Sequence, residues 1–146
     1  MPYHNIDSTL SSADQELIMQ EIAAIKEKLP FLIGLTTKEK RMGQNTHDKM
    51  AFRQIALETA KMRPELLPPA QPVEAWEKDE NLLMALQPIL QQINVLRGAL
   101  EDTILALRME SHLAAKNFLN FSRISARTNV PGIDTIVQRL EEALNG

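Results

Sequence analysis

Eight apolar residues, Leu82, Leu86, Ile89, Ile93, Leu96, Leu100, Ile104 and Leu107, recur at spacings of four, three, four, three, four, four and three. At about 100° per residue they fall within an arc of roughly 80° on a helix. This spacing predicts a long amphipathic helix over 73–107. A single narrow stripe must be covered by something apolar. The chain is therefore expected to be all-α, an antiparallel four- to five-helix bundle with a long third helix and a proline-rich crossover.

Length and composition narrow the alternatives. The 146 residues fit one domain, with residues 1–10 as a flexible N-terminus. Aromatic residues make up only 4%, so a core must come from Leu, Ile, Ala and Met. The formal charge of −3 offers no global attraction to nucleic acid or anionic membrane. The absence of cysteine excludes disulfides, thiolate metal sites and cysteine nucleophiles, and fits a cytoplasmic protein. No apolar run approaches the roughly 20 residues that a membrane span needs.

The first helix is expected from Ser11 or Ser12, good N-caps, to about Lys28, with Ile18, Ile22, Ile25 and Leu29 as its buried stripe. Pro30 stops it. The following run, Leu29-Pro30-Phe31-Leu32-Ile33-Gly34-Leu35-Thr36, is too apolar for a solvated loop. The favoured expectation folds it over the end of the core, anchored by Phe31 and Leu32. The alternative leaves Phe31, Leu32 and Ile33 as an exposed partner-docking patch. A charged loop is expected over Thr36–Asn45. A second helix follows, from about Thr46 to Met62, with Met50 or Ala51, Ile55, Leu57 or Glu58, and Met62 on its inner face. Pro64, Pro68, Pro69 and Pro72 cannot share a helix interior and predict the crossover.

The apolar stripe stays in phase beyond Leu107 through Ser111, Ala114, Phe118, Ser122 and Ser125. A break near Arg108–Ser111 would give two helices. Without it, one bent helix of about 55 residues would reach on the order of 80 Å. The break is the favoured expectation. Leu119 lies off the stripe, where a second neighbour or a second chain must sit. Asn129-Val130-Pro131-Gly132 ends this region, and a short last helix spans about Ile133 to Leu144.

Several stretches occur together and in order: the Leu29–Thr36 run, Met42-Gly43, Pro64-Glu65-Leu66-Leu67-Pro68, Leu86-Gln87-Pro88-Ile89-Leu90 and Glu101-Asp102-Thr103. With them the chain resembles a family of small bacterial helical proteins of uncharacterised function, marked by the LPFLIGLT-type segment. The resemblance covers roughly 5–127. It departs at Arg41-Met42-Gly43-Gln44-Asn45, where the family tends to Lys-Met-Gly-Asp-Lys, and at Arg108-Met109, where it tends to Gly-Ser. The resemblance implies a helical fold and carries over no catalytic residue.

Catalytic chemistry finds little support. A di-iron bundle needs Glu-x-x-His pairs. Met1, Gln44 and Met109 stand three residues before His4, His47 and His112, so no metal or other cofactor is expected. Arg97, Asp102, Thr103 and Asn117 are polar residues on or near apolar faces and could line a small ligand pocket. Otherwise Arg97 snorkels toward Glu101 and Asn117 is a satisfied buried amide. Residues 26–63 carry nine Lys or Arg against four Asp or Glu. They lack a recognition-helix motif, so a solvated basic face opposite the acidic stretch Glu74–Glu80 is expected rather than a nucleic-acid site. The expected function is a non-catalytic interaction or assembly module acting as a homo-oligomer, most simply a dimer. The alternative is a small-molecule-binding bundle.

Overall fold

The structure, a computed structural model, describes residues 4–128 and 130–146. Among them are five α-helices and no strand: α1 (Ser12–Lys28), α2 (Thr37–Gly43), α3 (Met50–Met62), α4 (Val73–Ala126) and α5 (Ile133–Asn145). Single 3₁₀ turns cover Gln44–Thr46 and Pro64–Leu66. The chain is all-α. Its contacts divide into two units, Thr9–Gln91 and the N-terminal segment up to Ser8 with Gln92–Gly146.

In the Thr9–Gln91 unit, local chemistry sets the helix ends. The Ser11 hydroxyl accepts the Asp14 backbone N–H at 3.0 Å and starts α1. The expected loop after Thr36 is instead α2, started by a reciprocal capping box. The Thr36 hydroxyl accepts the Glu39 N–H at 3.2 Å, and the Glu39 carboxylate accepts the Thr36 N–H at 2.7 Å. These bonds, the backbone one foremost, hold the Glu39 carboxyl below its usual pKa. α3 begins at Met50, four residues later than expected. Pro72 closes the crossover, and its carbonyl accepts the Trp76 N–H at 3.4 Å at the start of α4.

α3 meets the start of α4 on a face that shares only Leu57 with the expected one. Ala60 is buried, and Arg53, Gln54, Ala56 and Leu57 are half-buried. Met50, Ile55 and Met62 are exposed. Small alanines on α3 allow approach beside Trp76, and ion pairs do the rest. Arg53 Nε donates to Glu80 Oε1 at 2.6 Å, and Lys61 pairs with Glu77. Two of the basic residues thus face the acidic stretch. The expected stripe of α1 is open, with Ile18, Ile22 and Ile25 exposed and Leu29 half-buried.

In the other unit α4 continues unbroken past Arg108–Ser111, so the expected break does not occur. No glycine or proline lies between Gly98 and the end of α4, and nothing else interrupts the backbone bonds there. After α4, the Thr128 hydroxyl and backbone N–H both donate to the Ser125 carbonyl, at 2.6 and 3.0 Å. Asn129, the first residue of the expected terminator, lies outside the described residues. Gly132 takes φ 82°, a left-handed conformation that glycine adopts without steric cost, and turns the chain into α5.

Candidate functional site

Neither unit closes over the apolar stripe of α4. In the Thr9–Gln91 unit, α3 and the crossover touch α4 around Trp76, Glu77, Asp79 and Glu80. Leu82 and Ile89 of the stripe remain exposed there. In the second unit, α5 covers a neighbouring face of α4. Leu119 is only 5% exposed, and it shares a cleft with Leu140, Ala143 and Leu144. Arg123 Nε donates to Glu141 Oε1 at 2.8 Å across the same contact. Ile93, Leu96, Leu100, Ile104, Leu107 and Phe118 remain exposed.

These placements bear on each residue singled out above. Leu119, read as a candidate docking residue, is covered by α5 of its own chain. α5 carries Ile133, Val137 and Leu140 on one side, all half-buried, and they supply the second neighbour that the off-stripe position requires. The Leu29–Leu35 run does not fold over a core. Phe31 is 44%, Leu32 57% and Ile33 83% exposed. The Leu32 backbone N–H donates to the Leu29 carbonyl at 3.3 Å, and no helix or strand forms between there and the α2 cap. Burial by the chain itself is thereby corrected, and these three side chains face solvent.

The four polar residues do not assemble into one pocket. Asp102 and Thr103 line a groove of about 470 Å³ with His4, Ile6, Leu105, Ala106 and Met109. The Ile6 backbone N–H donates to Glu110 Oε1 at 3.0 Å and lays the N-terminal segment along α4. The Thr103 hydroxyl is spent on the Ala99 carbonyl at 2.7 Å. Arg97 pairs with Glu101 at 2.9 Å and is exposed. Neither Arg97 nor Asn117 lines the groove, and Asn117 is exposed rather than a buried amide.

Two features were missed at the sequence level. Glu80 is a buried carboxylate, 7% exposed, held by Arg53, which also donates from Nη1 to the Thr46 carbonyl at 3.0 Å. No local pattern announces a pair separated by 27 residues. The α2 capping box, by contrast, was readable as Thr36 with Glu39 three residues on.

Among the described residues, no group of three or more His, Asp or Glu lies close enough to hold a metal ion. None of their helices is long and apolar enough to cross a membrane. No protein family, curated protein or solved structure matches the chain. The exposed apolar stripe of α4 is the feature that a functional reading has to account for.

Proposed function

We propose that this chain is a non-catalytic assembly module that works as a homo-oligomer, most simply a dimer, in which helices of different copies complete an antiparallel bundle. The observation that carries this reading is the uncovered stripe of α4. Leu82 and Ile89 in one unit, and Ile93, Leu96, Leu100, Ile104 and Leu107 in the other, are each between 39% and 61% exposed. The exposed Phe31, Leu32 and Ile33 add apolar surface for the same assembly or for a further protein partner. The lack of cysteine and the family resemblance suit a bacterial cytoplasmic setting.

Thermal unfolding at several protein concentrations tests the reading. An obligate dimer melts at a temperature that rises with concentration, by mass action. A melting temperature constant over a hundredfold dilution contradicts it. A second reading, small-molecule binding, rests on the Asp102–Thr103 groove. A thermal-shift screen that gives no hit which Asp102→Ala abolishes counts against it.

A further inference from the structure

We propose that two copies of α4 pair antiparallel about a two-fold axis at Leu100, each copy laying residues 93–107 of its stripe on the same residues of the other. This rests on the assembly reading and adds orientation and register to it. Within the eight-residue apolar stripe, the only two consecutive four-residue steps flank Leu100. A plain alternation of three and four contains no residue about which it reads the same in both directions. Here Leu100 is such a residue. Leu96 and Ile104 lie four residues to either side, and Ile93 and Leu107 lie seven. Offsets of eleven, fourteen and eighteen also land on stripe positions, the outermost being Leu82 and Phe118.

A two-fold axis through Leu100 therefore sets Leu96 opposite the partner's Ile104 and Ile93 opposite the partner's Leu107. The two Leu100 side chains meet each other. Such a contact is isologous, the form that closes a dimer without leaving an edge. All five side chains are exposed, between 43% and 61%, and lie in one contact unit. No described contact of α5 or of the N-terminal segment falls on them.

Charge beside the axis fits the antiparallel orientation. Near the axis, Arg97 and Glu101 flank the stripe on one side, so each Arg97 also comes near the partner's Glu101.

Because the chain has no cysteine, single-cysteine variants report the register directly. Ile93→Cys, Leu100→Cys and Leu107→Cys are each oxidised at low micromolar concentration, after light scattering has given the mass of the reduced proteins. The expected result is efficient cross-linking of Leu100→Cys alone, at least tenfold above either other variant. Ile93→Cys and Leu107→Cys, refolded together, cross-link to each other. Cross-linking of all three variants separately overturns the antiparallel orientation. A dimeric mass with no cross-link in any combination overturns the register and leaves the assembly reading standing. A monomeric mass for the unsubstituted chain overturns both. Should Leu100→Cys fail to associate, spin labels on the exposed Arg108→Cys decide. Its sixteen-residue offset from its mate puts the labels about 24 Å apart along the axis in the antiparallel pair. A separation of roughly 10 Å, one interhelical distance, refutes the proposal.

Discussion

Leu100→Ala is the substitution whose energetic effect separates a covered stripe from an open one. Leu100 is 55% exposed in the single chain. Burying a whole Leu side chain contributes about 1.5–3 kcal/mol. Covering the open half in a dimer is therefore worth roughly 1–1.5 kcal/mol per chain, or roughly 2–3 kcal/mol per dimer. The alanine retains its own methyl, but the cavity left at the axis offsets that saving. At about 1.4 kcal/mol per factor of ten, the dimer should dissociate roughly 30- to 150-fold more readily. Sedimentation equilibrium over a dilution series reads this constant directly, and circular dichroism at high concentration checks that helicity is kept. A dimer constant changed by less than about threefold, with unchanged melting, is what a surface position gives, since such substitutions stay within about 0.5 kcal/mol. That result would remove Leu100 from the interface.

Three other perturbations test the chain's own packing. Arg53→Ala should destabilise the α3–α4 contact by roughly 2–4 kcal/mol, below the full buried-pair range because Arg53 is a quarter exposed. Replacing Glu80 by Leu in the same variant should recover part of that in urea denaturation, and no recovery would mean the loss is not that of a stranded carboxylate. Leu119→Ala should cost about 2–5 kcal/mol and release α5, seen as faster amide exchange over Ile133–Asn145; slow exchange throughout α5 would show that Leu119 does not hold it. Because the pKa of Glu39 is depressed in the folded chain, its capping contribution is present above the unfolded value. It is lost as pH falls from the usual 4.5 through the folded value. Amide protection in α2 should fall over that window and persist above it, whereas pH-independent protection would contradict the capping box.

The elements that were legible from sequence are those with local causes. Ser11 and Pro30 bound α1, the four prolines mark the crossover, and Gly132 marks the turn into α5. α4 was half legible. Its periodicity continues past Leu107, but a helix of that length has no cover within so short a chain, which argues for a break. The backbone follows the unbroken periodicity, and the missing cover is the same problem seen as exposed side chains. The inner face of α3 was not legible, because its contact with α4 uses Ala56, Ala60 and charged side chains rather than Ile55 and Met62. Hydrophobic periodicity cannot report a contact made by alanine and ion pairs. The polar residues failed as a site for a related reason. Arg97 and Thr103 satisfy themselves within their own helix, at Glu101 and at the Ala99 carbonyl, and neither side chain needs a neighbour or a ligand.

The most direct measurement is the mass of the unsubstituted protein in solution, by size exclusion with light scattering from low micromolar concentration upward. An α4 stripe covered by another copy predicts twice the 16.5 kDa of one chain, or a higher whole-number multiple, throughout that range. A stable, cooperatively folded species of 16.5 kDa would mean that the chain covers its own stripe, and would contradict the assembly reading.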